Sequence, residues 1–299
     1  MSATTQQQRG GSAVPAIAGP ALMLIGMLMF SLNDAMGKWL VASYSVGQVI
    51  LIRSVAALVI LAPFLWRAGL QPIIRAEKPL LQAARVFFST FEVFAFYFAV
   101  MYLPLADVMT YWLAAPIYVA AASPFLLGEK VGWRRWTAIA IGFVGVIIAL
   151  NPSSAMFTAP AIISILGTIA FAFMMISGRS LRATPDKTLV FFQLMGALIA
   201  GIIFAPLDWR PLGTSADIAL MLLLGIVAMA AHMLVNRALK ISDAATVAPL
   251  QYTLLLWAVL FGWMFFGDIP KTSMVIGAAL IVGSGLFIFF REQRVKQRA

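Results

Sequence analysis

Four ionisable side chains stand inside long apolar runs of this 299-residue chain: Asp34, Arg53, Glu92 and His232. A charge at the centre of a membrane-spanning helix costs at least about 2.5–3.5 kcal/mol, so such groups are candidates for handling a polar ligand or a proton. Glu92 and His232 are 140 positions apart and fall near the middle of their runs. Glu and His can both exchange protons, and together they could hold a zwitterion, Glu92 near its ammonium and His232 near its carboxylate. The alternative is that each bonds a neighbouring helix. Asp34 lies about seven residues before the end of the first run and Arg53 about seven into the second. At 1.5 Å per residue both are roughly 10 Å below one surface, placed either to form an ion pair or to act at a mouth, with Lys38 one turn from Asp34.

Polar and aromatic residues accompany these groups. Asn236 follows His232 by one helical turn, Phe96 follows Glu92 by the same interval, and Tyr97 is beside it. Tyr111 and Trp112 align with Leu250 and Gln251 of a later segment, next to Tyr252, and Asn33 precedes Asp34. Tyr and Trp offer apolar surface with a polar handle and can stack on a planar ring, although many membrane aromatics only fill the bundle. Trp66, Trp133, Trp136 and Trp209 stand near segment ends, where interfacial anchoring is expected. The 16 Met and 22 Phe residues could form an adaptable lining or face lipid.

Catalytic chemistry finds little support. There is no Cys, a single His, no His-Glu-x-x-His, no Gly-x-Ser-x-Gly and no P-loop, so an enzyme is not expected, nor any metal or other cofactor. The absence of an ATP-binding motif leaves facilitated or ion-coupled movement of a solute.

The elements that must position these residues are helices in a membrane. The chain is 62% hydrophobic and 11% charged, with a mean hydropathy of +0.96, which no ordinary soluble domain matches. About 20 apolar residues span a bilayer core. Ten such segments are predicted, near 19–41, 46–67, 79–102, 105–127, 134–151, 158–178, 187–206, 216–239, 244–266 and 272–290. Fusing a tight turn, at 103–107 or 241–243, would reduce these to nine. With ten spans, 17 of the 21 Lys and Arg residues fall on one face, which places both termini in the cytoplasm and excludes nucleic acid as the reason for the +10 charge. The fold class is all-α and polytopic. A polar N-terminal stretch, 1–16, and a basic tail, 291–299, are expected on the cytoplasmic side.

The chain also matches itself. At offsets of 139 to 141, Gly37-Lys38 meets Gly178-Arg179, Leu127-Gly128-Glu129 meets Phe266-Gly267-Asp268, and Gly145 meets Gly285. A unit of five spans is odd, so the second copy, 158–290, inserts inverted relative to the first, 17–151, around a central cavity. Glu129 and Asp268 stand at turns, where capping and packing are the expected roles. Gly142 and Gly145 allow close helix contact, within the chain or with another subunit; a monomer suffices for this arrangement.

The Pro-containing fourth segment, Leu127-Gly128-Glu129-Lys130 and Gly142-Phe143-Val144-Gly145, echoed by Pro249, Gly267-Asp268 and Gly277 to Gly285, resembles the EamA-type repeat of the drug/metabolite transporter superfamily. The resemblance covers residues 17–290. Within the superfamily it is most similar to the bacterial YddG exporters of aromatic amino acids. It implies a ten-helix basket in a bacterial inner membrane that exports small organic metabolites by alternating access, aromatic or other apolar amino acids first among them. An exporter of organic cations or drugs is the alternative, ahead of a nucleotide-sugar or triose-phosphate-like carrier, a channel or a membrane enzyme. Asp268 in place of a second Glu preserves only the charge of the motif.

Overall fold

The computed structural model describes residues 17–69, 71–74, 78–126, 128, 132–150, 158–181, 183–241 and 248–296, which contain helices and no strand. In chain order the helices are α1 (Ala18–Ser43), α2 (Val46–Ala68), α3 (Pro79–Tyr102), α4 (Leu105–Trp112), α5 (Ala115–Leu126), α6 (Trp133–Leu150), α7 (Ala159–Ser180), α8 (Asp186–Phe204), α9 (Ser215–Ile241), α10 (Thr253–Phe266) and α11 (Thr272–Lys296). Single turns at Gln71–Ile74, Ala205–Asp208 and Ala248–Tyr252 accompany them. The polar stretch 1–16, the turn at 151–154, Glu129 and the 242–243 turn lie outside the described residues. The basic segment expected to leave the membrane as a tail continues α11 as far as Lys296.

Counting α4 and α5 together, eight segments are long and apolar enough to cross a membrane, and Trp136–Ala149 and Leu250–Phe266 are shorter apolar helices. Large apolar side chains cover the outside of the bundle, among them Phe125, Leu207 and Leu256. Water would not tolerate that surface, whereas lipid does; the chain is a polytopic helical membrane protein. Trp66, Trp133, Trp136 and Trp209 are all exposed. Inside, hydroxyl groups bond their own helix backbone: Thr110 donates to the Ala106 carbonyl and Thr168 to the Ser164 carbonyl, each at 2.9 Å.

The fourth predicted span is broken between α4 and α5. Pro116 has no N–H to give, and its ring would strike the carbonyl of Trp112 four residues earlier. The chain tightens instead, with the Ala114 N–H donating to the Tyr111 carbonyl at 3.0 Å. A second irregularity precedes α10, where the segment containing Pro249 is a 3-10 turn. Both interruptions lie inside stretches that composition alone reads as continuous.

Packing pairs distant helices. α1 runs along α9 and α3 along α7, α6 along α11 and α2 along α8; α1 also meets α10, and α7 meets α4 and α5. Glycines allow these approaches. A Cβ on Gly277 would stand 2.6 Å from the Gly145 carbonyl oxygen, and one on Gly142 would stand 2.8 Å from Ser284 Oγ, so the glycines of α6 serve a contact with α11 of the same chain.

At the end of the bundle where α1 turns into α2, Ser45 caps α2 by accepting from the Gln48 N–H at 3.2 Å. The Gln48 amide donates to the Arg210 carbonyl at 2.8 Å and accepts from the Arg210 N–H at 3.2 Å. The Tyr44 hydroxyl donates to Asp217 at 2.7 Å and accepts from the Gly213 N–H at 2.9 Å. These bonds hold the segment after Ala205–Asp208 against the α1–α2 corner.

Candidate functional site

Arg53 on α2 is the hub of the buried charges. Its Nη1 donates to the Tyr97 hydroxyl, and its guanidinium lies 5.3 Å from the centre of the Tyr97 ring. Its charge also reaches Asp34, Glu92 and His232. Asp34 and Arg53, expected as a possible ion pair, make no direct bridge: the guanidinium is turned to the phenol of α3. Gly37 makes room for that phenol, because a Cβ there would meet the Tyr97 ring at 2.1 Å.

Glu92 of α3 accepts from the Trp112 indole N–H of α4 at 3.3 Å. Phe96, one turn further along α3, stands edge-on to Trp112 and to Tyr97, at centroid distances of 5.3 and 5.4 Å. Trp112 is seated against Gly167 of α7, where a Cβ would come within 2.6 Å of the ring. On α9, His232 lies edge-on to Phe30 at 4.7 Å and makes no hydrogen bond among the described residues. Arg53, Tyr97, Phe96, Trp112 and Glu92 are thus one connected group of a guanidinium, a carboxylate and three rings, with Asp34 and His232 within electrostatic reach of Arg53.

Other expected site residues have separate surroundings. Tyr111 is buried with Ala149, Ala161 and Met274, on the side of α4 away from Trp112. Tyr252 presses on Gly285 of α11, and Gln251 is half-buried in the turn before α10 without a hydrogen bond among the described residues. The Asn33 amide is committed to the Leu224 carbonyl of α9 at 2.8 Å, which ties α1 to α9 rather than leaving a free polar group. The side chain of Asn236 lies outside the described residues.

Lys38 has a partner that spacing did not reveal. Its Nζ lies 2.7 Å from Asp268, in the loop after α10, and donates to the Leu103 carbonyl at 3.1 Å. The Phe266 ring is 4.8 Å away. Asp268 therefore joins helices in addition to standing at a turn.

Two residues on α3 escaped notice. Arg85 counts as a loop charge when only the distribution of cations is read, yet Pro79 begins α3 and places Arg85 nearly two turns inside it. Gln82 is one turn before it. The available signal was the interval of seven from Arg85 to Glu92, which puts both on one helical face.

Residues 17–151 and 158–290 each match the EamA-like transporter family, so this helical membrane protein belongs to a family of transporters, not of enzymes. Across 95% of its length the chain is 28% identical to a riboflavin transporter of Rhizobium johnstonii, covering 94% of that protein. It is 23% identical to an S-adenosylmethionine uptake transporter of Rickettsia prowazekii, with 92% of this chain and 94% of the relative covered. It is also 23% identical to a pseudopaline exporter of Pseudomonas aeruginosa, over 89% and 93% of the two chains. These names correct the expected likeness to aromatic amino acid exporters; the family is shared, but the relatives' substrates differ. A solved crystal structure shares the fold, with a TM-score of 0.62 at 16% identity and coverage of 94% of this chain and 98% of that one.

Proposed function

We propose that the chain is a secondary transporter of small organic metabolites that carry a planar ring and an amino-acid-like charged group, working by alternating access from the inner membrane of a bacterium. The carrying observation is the joining of Glu92 to Trp112 beside Phe96. A carboxylate within an aromatic wall can attract an ammonium or sulfonium while the rings stack on a planar group. Aromatic amino acids and S-adenosylmethionine have both features, and riboflavin has the ring.

The architecture in this proposal is ten spans in two inverted five-helix repeats, with both termini cytoplasmic. The two consecutive family matches support it. So does the packing: exchange of the halves converts α1 on α9 into α7 on α3, and leaves α6 on α11 and α2 on α8 as self-equivalent pairs. Interrupted helices near corresponding positions, at Ala114 and before Thr253, suit a substrate site between repeats. In this proposal His232, at the repeat position of Glu92, serves the site from the opposite half.

The test is a counterflow screen with purified protein in liposomes loaded with phenylalanine, tryptophan, S-adenosylmethionine, riboflavin, a hydrophobic organic cation or a nucleotide sugar. Ring compounds with an amino-acid group should accumulate, and Glu92→Gln and Trp112→Ala should reduce that accumulation at least tenfold. Uptake of the organic cation alone would overturn the substrate class, and no counterflow of any small solute would overturn transport.

A further inference from the structure

Arg85 is a cation on α3 whose Nε and Nη1 are buried with no hydrogen-bond partner, and no acidic side chain among the described residues interacts with it. One turn earlier, Gln82 is 5% exposed, and both its amide oxygen and its amide nitrogen are buried without a partner. Guanidinium and amide groups that are taken out of water without gaining hydrogen bonds are unfavourable unless a ligand supplies the partners. Two adjacent side chains with unmet hydrogen-bonding capacity on one face of one helix are hard to explain as packing.

The position adds chemistry. Gln82, Arg85, Ser89, Glu92 and Phe96 recur at intervals of three and four along α3, which makes one stripe. Thr90, off that stripe, faces α8 at Gly196, while Ala95 faces α7 at Gly167. The stripe runs between those two contacts. Gly178 of α7 is the neighbour of Arg85, and a Cβ there would meet Arg85 Nε only at 3.7 Å, an ordinary contact. The Arg85 charge reaches His232 on α9. Arg85 thus lies on the same face of α3 as Glu92, roughly 10 Å along the helix axis from it.

We infer that Arg85 and Gln82 form an oxyanion subsite that receives the carboxylate, or a comparable oxyanion, of the transported solute. Arg is suited to this by its planar fork of donors, which matches two carboxylate oxygens, and the Gln82 amide can donate a further bond. Glu92 and Trp112 take the cationic and planar parts at the other end of the stripe. The assignment rests on the transport reading above and transfers the anion-binding role from His232 to Arg85.

The experiment uses purified full-length protein in detergent and asks only about binding, so it is independent of which solute is transported. Benzoate is titrated against thermal unfolding, with benzamide as its uncharged counterpart. Benzoate should raise the Tm and benzamide should not; Arg85→Gln should weaken the benzoate response at least tenfold, Gln82→Leu should weaken it less, and Arg85→Lys should retain part of it. Ligand-free Arg85→Gln should be as stable as the parent or more so, because it removes an unpaired buried charge. Equal responses to benzoate and benzamide, or a destabilised Arg85→Gln that still responds to benzoate, would overturn the subsite. A lipid headgroup is the other source of an oxyanion. If Arg85 responds to phosphatidylglycerol in nanodiscs and not to benzoate in phosphatidylcholine nanodiscs, the solute assignment is wrong. Failure of the counterflow screen with benzoate discrimination intact would remove the transport reading alone.

Discussion

Lys38 and Asp268 lie 2.7 Å apart and are separated by 230 residues of chain, so this one pair joins the end of α1 to the loop after α10. The same ammonium reaches the Leu103 carbonyl between α3 and α4. Gly267 sets the acid in place. With φ at 68° it ends α10 in the left-handed conformation, its N–H donating to the Trp263 carbonyl at 3.1 Å, and the chain turns to present Asp268. Three parts of the bundle therefore meet at one cation.

Removing either partner should loosen that end of the molecule. Lys38→Ala or Asp268→Ala is expected to cost about 1.5–3 kcal/mol, the range for hydrogen bonds involving charged groups. The exchanged pair Lys38→Asp with Asp268→Lys should recover most of the loss. Thermal unfolding of the four proteins tests this, and an exchanged pair no more stable than the sum of the single variants would show that the bridge contributes nothing.

Tyr97 is the hydrogen-bond partner of Arg53 and is 1% exposed, with its ring filling the space left by Gly37. Tyr97→Phe keeps the ring and removes the acceptor. The guanidinium then loses its one hydrogen bond to a side chain among the described residues and is free to swing toward Asp34 or Glu92. The expected outcome is a folded protein, less stable by about 1.5–3 kcal/mol, whose counterflow falls roughly tenfold. Unchanged transport would show that the Arg53 position does not matter to the site.

The helices were readable because apolar runs of membrane length, broken by charges and Pro or Gly, leave few other folds. Side-chain partners were less readable. No spacing rule connects Lys38 to Asp268, since the contact depends on how α1 meets α10. Adjacent Tyr111 and Trp112 were both expected at the site, yet neighbours on a helix point about 100° apart, so one faces Glu92 and the other faces α6 and α11. Pro116 was visible as a proline, and its break in the fourth span follows from the missing N–H. Arg85 was hidden by treating cations near a helix end as loop charges.

The bond between Tyr44 and Asp217 gives the α1–α2 corner a pH dependence. The phenol donates to a carboxylate, and this bond, ahead of the opposing bond from the Gly213 N–H, raises the Tyr44 pKa above its ordinary 10.0. A raised folded-state pKa means that the protonated phenol is favoured by folding. Its contribution is complete below about pH 10 and is lost as pH climbs through the folded value. The parent should lose stability above pH 10 more steeply than Tyr44→Phe in paired unfolding curves. Parallel curves would count against the bond.

Gly225 lets α9 approach the backbone of α2 closely. A Cβ there would stand 2.1 Å from the Arg53 carbonyl oxygen and 3.3 Å from the Ala57 nitrogen, both backbone atoms that cannot rotate away. Gly225→Ala must therefore part the two helices at the residue that carries the hub guanidinium. A stability loss of about 1–3 kcal/mol is expected from overpacking, along with a fall in counterflow exceeding that of Gly283→Ala, whose added methyl meets no atom within 4 Å. Equal behaviour of the two variants would show that the α2–α9 spacing is not critical.

Under the proposed transport function, Glu92 is the candidate proton carrier. Its carboxylate is held by the Trp112 indole, lies within electrostatic reach of Arg53, and sits on the α3 stripe that the solute would cross. If solute and proton compete for this carboxylate, an imposed pH gradient must change the rate of net transport by the parent protein. Glu92→Gln keeps the shape and the acceptor for the Trp112 N–H but cannot carry a proton. It should retain a residual downhill flux that no longer responds to the gradient, while His232→Ala should lower the flux and leave the response. A parent protein indifferent to the gradient would assign Glu92 to binding alone, because a group that releases no proton across the cycle cannot transmit the proton gradient to the solute.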